Sequence, residues 1–270
     1  MEIVNWAKDL ETPLDFRFNE VFGWIGILPS KIDLNFTTVQ NQGILRNPST
    51  AYACTCFSVS HATNIENYIE TSNLLTSWEE VWAKALTRWA TLTEGWYVKL
   101  AIDLIKEMGY IDWYTKVIGL EEIKQALVKN QVVCTGTNQI DWNKTTANQD
   151  KIAQKGDSYW HAFCIIGYDD SEWLFKLRNS YGDKYQDAWH FYLRYEDIGL
   201  LYTTFALVDH ANSELLLSYK LKMQQENIDK AISLWLTSGS NPDKPLIRKD
   251  AFAMLWALAK LIEAKTWSLK

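Results

Sequence analysis

The sequence predicts an α+β fold in which helices come first and strands follow, so that the two kinds of element segregate into halves. Three observations lead there. Between Val59 and Lys129 apolar residues recur at helical spacing, while between Gln131 and Val208 they fall into short runs separated by turn residues. The chain has 270 residues, enough for one large core or one core with a small appendage. Its composition, 47% hydrophobic and 22% charged, is that of an ordinary globular chain, so apolar patterning can be read as core against surface.

The elements follow in order. Residues 1–28 carry scattered aromatics (Trp6, Phe16, Phe18, Phe22, Trp24) and read as an ordered arm laid over a surface. Val59, Ala62, Ile65 and Ile69 mark a helix with Cys56 at or just before its N-terminus. Residues 74–90, with Trp78, Val81, Trp82 and Leu86, form a second amphipathic helix. Residues 96–108, with Val98, Ala101, Leu104 and Ile105, form a third, closed by Gly109. A fourth covers 120–129 and breaks at Asn130 before a strand over 131–137. After a polar loop over 138–158, strands are expected at 160–168, 172–179, 188–194 and 202–208. A charged, Leu-rich connector (210–226) leads to a small helical module (227–270) that turns at Gly239 to Asp243. That tail is too short to build a core of its own, so it is expected to pack on the main body, a second copy or a partner.

Charge and composition exclude several classes. A net charge of −6 without any long Lys/Arg run gives no electrostatic means of holding a nucleic acid. No apolar run approaches the ~20 residues of a membrane span. The opening residues lack a basic stretch followed by an apolar one, so no signal peptide is expected, and the chain reads as cytoplasmic or virion-associated. The four cysteines (Cys54, Cys56, Cys134, Cys164) then read as free thiols in a reducing compartment.

Cys56, His161 and Asn179 stand in chain order, each in a short local signature. A thiol needs a base to become a thiolate, and the base needs a third polar group to fix its ring; the three residues supply one candidate for each role. A helix N-terminus also lowers a thiol pKa. Cys56 falls in the helical half and the other two in the strand half, which predicts a site in the groove between them. Cys54 is the rival thiol. Cys134 and Cys164 sit in strand patterns and read as inert, His61 reads as structural, and His190 and His210 lack a motif. Cys54 and Cys56 with His161 and Cys164 offer four soft ligands, but neither spacing is that of a paired zinc motif, so no metal and no cofactor are expected. The sequons at Asn35 and Asn143 carry no meaning without secretion.

From about Leu28 to Leu207 the chain resembles the papain-like cysteine peptidases. The pieces that carry the resemblance are Leu28-Pro29-Ser30, Asn41-Gln42-Gly43, Cys56-Phe57-Ser58 with Glu66 one helix length on, and Glu94-Gly95-Trp96. Trp160-His161-Ala162 and Arg178-Asn179-Ser180-Tyr181-Gly182 complete the set. The resemblance implies a two-lobed fold, a helical lobe and an antiparallel barrel-like lobe over 29–209, with the small α-helical C-terminal appendage beyond. It implies Cys56 as nucleophile, held as a thiolate by His161, and the interval to Glu66 favours Cys56 over Cys54. His161 is then base and later acid, and Asn179 orients its ring. Gln42 with the Cys56 N–H donates to the oxyanion, and Gly95, Trp96 and Trp160 contact an extended peptide. Gln42 lies farther from Cys56 than the family places its glutamine, Ala53 stands where the family has a structural cysteine, and Phe57 and Tyr181 stand where it has tryptophans. The implied activity is endopeptidase hydrolysis of a peptide or protein substrate through an acyl-enzyme. Two other readings stand beside it: a catalytically silent scaffold in a virion or cell-surface assembly, and a cell-wall amidase. The tail is similar to small helical modules of bacterial and phage proteins, which implies docking to a protein partner, or self-association, through 210–270.

Overall fold

The computed structural model describes residues 16–35, 53–74, 76–88, 97–180 and 190–208, with Lys222, Gln225 and Asp229 beyond them. Its helices are α1 (Phe18–Phe22), α2 (Cys54–Thr71), α3 (Trp78–Leu86), α4 (Val98–Glu107), α5 (Gly119–Val128) and α6 (Trp142–Ala147). Its strands are β1 (Lys31–Asp33), β2 (Trp113–Lys116), β3 (Val133–Thr137), β4 (His161–Asp169), β5 (Leu174–Arg178), β6 (His190–Arg194) and β7 (Thr203–Val208), with a 3-10 turn over Tyr195–Leu200. The strands form one antiparallel sheet in the order β2-β7-β3-β4-β5-β6, and β1 pairs with the far end of β4.

Every residue of α2 from Thr55 to Glu66 is buried, the pattern of a helix enclosed on all sides. It lies against β3 and β4 on one side and α3 and α4 on the other. Polar ties fix its height on the sheet. Ser58 Oγ donates to the Phe163 carbonyl at 2.8 Å, and Glu66 Oε1 accepts the Val132 N–H at 2.6 Å. Asn64 exchanges two bonds with the Thr76 backbone, at 2.7 and 3.0 Å, just before α3. The α3 N-terminus is capped by Ser77 Oγ, with Glu79 and Glu80 in its first turn.

β1 crosses β4 so closely that a Cβ on Gly167 would lie 2.4 Å from the Ile32 carbonyl oxygen. Glycine is therefore required there, at the point where the β4–β5 register shifts. With no side chain between them, Asp33 and Lys176 close an ion pair over Gly167 at 2.7 Å.

Four elements have no counterpart in the expected list: α1, β1, β2 and α6. The two strands are too short to show a period. α6 lies in the stretch expected as a polar loop; its signal is Asp141, whose Oδ1 accepts the Lys144 N–H at 3.0 Å as an N-cap. The described part of the arm is fastened to α5. Glu122 Oε1 accepts from Arg17 Nη2 at 2.9 Å and from Asn19 Nδ2 at 2.5 Å, and Phe18 is fully buried.

By contacts the chain divides into residues 1–216 and 217–270. In the second unit Gln225 Nε2 donates to Asp229 Oδ1 at 2.9 Å, one helical turn on. The rest of the expected connector and module lies outside the described residues. No described helix is long and apolar enough to cross a membrane.

Candidate active site

α2 begins at Cys54, and its N-cap, Ala53, has no side chain to satisfy the first-turn N–H groups. The Cys54 thiol feels the backbone N–H groups of Ala162 on β4, of Thr55 and of Cys54 itself, each of which favours the thiolate. Burial pushes this thiol above its ordinary pKa, and the three N–H groups oppose the shift. Cys54 remains partly exposed.

Cys56 is placed otherwise. Two residues along a helix is a rotation of about 200°, and that rotation carries Cys56 into the core, where it is 0% exposed. Burial pushes its thiol far up, the neighbouring Cys54 adds to the shift, and only a hydrogen bond from the Thr55 side chain opposes it. Cys56 was expected at or before the helix N-terminus as the nucleophile; in the structure it is the third helical residue and fully buried. Cys54, the first residue of the helix, is the partly exposed thiol of the two.

On the strand side, His161 opens β4 and Asn179 follows β5. His161 Nε2 lies 2.6 Å from Asn179 Oδ1. An amide oxygen only accepts, so Nε2 carries the proton and Nδ1 is the ring's basic nitrogen. Asn179 Oδ1 also accepts the Ser180 N–H at 2.7 Å, which fixes its amide orientation. Burial lowers the His161 pKa to about 4, against the pull of Asn179. Ala162 joins the two sides: its N–H favours the Cys54 thiolate and it directly follows His161 in the chain.

Trp142, from α6, packs edge-on against His161 with centroids 4.9 Å apart, and against Phe163 and Phe191 at 5.9 and 5.4 Å. It shields the His161–Asn179 pair. Its signal in the sequence was a lone tryptophan after an Asp cap inside a polar stretch. Trp160 lies on Tyr202, centroids 4.7 Å apart, and Gln139 Nε2 donates to the Tyr202 hydroxyl at 2.6 Å. Gln42, Gly95, Trp96 and Tyr181, expected in the oxyanion hole, the peptide wall and the shield, lie outside the described residues. Cys134 and Cys164 face each other across β3 and β4, both fully buried. Among the described residues no three metal-ligating side chains converge.

The chain matches no protein-family model and no curated protein sequence. Solved structures do resemble it. Xylellain, a cysteine protease from Xylella fastidiosa, matches with a TM-score of 0.60 at 17% identity, over 76% of this chain and 95% of that one. The Amb a 11 cysteine protease of ragweed pollen, in its proform, gives 0.56 at 18% identity over 72% and 70% of the two chains. ProCathepsin B S9 from Trypanosoma congolense gives 0.56 at 12% identity over 73% and 81%. The fold is the α+β fold of the papain-like cysteine proteases.

Proposed function

We propose that this protein is a cysteine endopeptidase whose nucleophile is Cys54. The observation that carries the reading is the partly exposed Cys54 as the first residue of α2, a helix whose next turn is bonded to β4 at Phe163, two residues from the His161 that pairs with Asn179. The fold is that of enzymes which work through such a thiol.

Burial favours the uncharged form of both partners, the thiol by raising its pKa and the imidazole by lowering its own. On burial alone the resting pair is a neutral thiol and a neutral imidazole; the family resemblance implies a standing ion pair, and the pH profile of thiol labelling decides between them. His161 Nδ1 takes the thiol proton as sulfur attacks the peptide carbonyl carbon. The Cys54 N–H, an uncapped first-turn donor, stabilises the oxyanion, where one donor is typically worth ~3 kcal/mol. Gln42 is the second donor by resemblance. His161 then returns its proton to the leaving amine, and water releases the acyl group by the same base. Asn179 keeps Nε2 protonated throughout, and the Trp160–Tyr202 pair lines the substrate side.

Intact-mass labelling with an epoxide thiol inhibitor tests this on wild type, Cys54→Ala, Cys56→Ala and His161→Ala. The expected result is a single adduct that is lost with Cys54, retained without Cys56 and slowed by His161→Ala. An adduct that survives in Cys54→Ala, or none in wild type, overturns the assignment; the second result turns attention to a binding role for the fold.

A further inference from the structure

One residue before Asn179, at the end of β5, the chain buries a charge that no described carboxylate neutralises. Arg178 is 4% exposed, and a guanidinium stays protonated in any protein environment. Its Nη1 donates to Asn35 Oδ1 at 3.0 Å and lies 3.5 Å from His190 Nε2. Its Nε has no acceptor. None of the ion pairs among the described residues includes it. Its register partner on β4, Cys164, is no counter-ion, because burial holds that thiol at about 12.

The described groups that touch it add no negative charge. His61, on the α2 face that meets the sheet, is 1% exposed, and its Nε2 also has no partner. Arg178 pairs in register with Cys164, whose β3 neighbour Cys134 reaches the Ser58 carbonyl of α2, one helical turn before His61. Arg178 therefore lies in the layer facing α2. Arg178 and His190 both disfavour protonation of the His61 ring. Asn35 is neutral and already accepts from Arg178 and His190, the latter at 3.2 Å. Burying an unpaired charge is far costlier than burying a hydrogen-bonded neutral group, and two buried N–H donors without acceptors add to that cost.

We propose that Arg178 and His61, with His190 beside them, hold a small monovalent inorganic anion of the halide class between α2 and the end of β5. The neutral His61 ring donates through Nε2–H, and Arg178 donates through Nε–H. The depth of the site excludes bulky organic anions. A bound anion also braces the strand end from which Asn179 reaches His161, so the site supports the catalytic pair without touching substrate.

The test follows thermal unfolding of the full chain in sodium chloride and in sodium gluconate at matched ionic strength and pH 7.5. Chloride is expected to raise Tm by about 3 °C, saturating with concentration, while gluconate leaves it flat. His61→Leu should weaken the chloride dependence severalfold, and Arg178→Gln should abolish it. Because Arg178→Gln can fail to fold, a bromide-soaked wild-type crystal supplies an independent readout, with an anomalous peak expected beside Arg178 Nε. Equal Tm in both salts together with no bromide peak overturns the proposal. Neither measurement depends on peptidase activity, so a catalytically silent protein still decides it.

Discussion

The two halves of the site are held in place by different periodicities. On β4, residues two apart share a face, so His161 and Phe163 both meet Trp142. On α2, residues two apart point in nearly opposite directions, and Cys54 is partly exposed while Cys56 is sealed in the core. A strand tolerates a two-residue error in reading its start; a helix does not. Residue type and local signature are therefore enough to pair the histidine with the asparagine, whereas choosing between the two cysteines requires knowing the first residue of the helix.

The sharpest way to break this comparison is to remove each thiol in turn. Cys54→Ala should lower peptidase turnover by at least ~10⁴-fold, leaving only what binding and the oxyanion donors provide, as measured by kcat/KM on a peptide substrate. Cys56→Ala should leave kcat/KM within a few fold and lower stability by about 1 kcal/mol, since it empties a small volume from the core. If the two effects exchange places, the helix begins two residues later in solution than the structure has it.

The next effect lies on the strand side. Trp142 is 3% exposed and touches His161, Phe163 and Phe191. Trp142→Ala should cost about 3–5 kcal/mol in urea unfolding, the range for truncating a buried tryptophan. It should also slow labelling of Cys54, because the His161 ring loses its packing wall. Trp142→Phe should restore most of the stability. A stability loss with undiminished labelling would mean that Asn179 alone holds the ring.

Much of this molecule was legible in its sequence. The α+β order, the strands that became β3 to β7 and the helices α2 to α5 announce themselves, because each is long enough for its apolar period to appear. The pairing of His161 with Asn179 was legible because each sits in a short signature at a strand end. Cys54 was legible as the rival to Cys56, but the sequence did not show which of the two is the first residue of the helix. Trp142 was not legible, because α6 carries only Trp142 and Thr145 inward and so has no apolar stripe. The Arg178 cluster draws on α2, β5, β6 and Asn35 just after β1, and no local pattern records a meeting of four distant segments.

Acid should reveal how far the two halves depend on neutral histidines. The folded pKa of His161 is lowered to about 4 and that of His61 is lowered well below its ordinary value, both first by burial. Each lies below its unfolded value near 6.5, so the stability they represent is fully present above pH 6.5. It is lost progressively as pH falls, for His161 between about 6.5 and 4. For His161 the full loss is about 3 kcal/mol. Tm should therefore be level from pH 8 to 7 and decline steadily below 6.5. Carboxylates make a separate phase: Asp169, held at about 2 mainly by its hydrogen bond with Lys31, gives up its contribution only below pH 4. His61→Leu should flatten part of the histidine phase and leave the carboxylate phase unchanged. A Tm that stays level down to pH 5 would show that both rings are hydrated or paired.

The smallest effect is at Asn179, where the strand side is tuned. Asn179→Ala removes the acceptor for His161 Nε2–H and for the Ser180 N–H, yet leaves Trp142 against the ring. A loss of about 10- to 100-fold in kcat/KM is expected, the scale seen when a ring-orienting partner is removed. Asn179→Asp keeps an acceptor at the same place but adds a negative charge, which favours the imidazolium and raises the His161 pKa. If the resting pair is neutral, as burial of both groups implies, that variant should convert it toward an ion pair. Its signature is thiol labelling that persists to lower pH than in wild type, whose rate should climb through the alkaline thiol range. Identical pH profiles for wild type and Asn179→Asp would mean that the thiolate already exists before substrate arrives, and that the first-turn N–H groups of α2 outweigh the burial of Cys54.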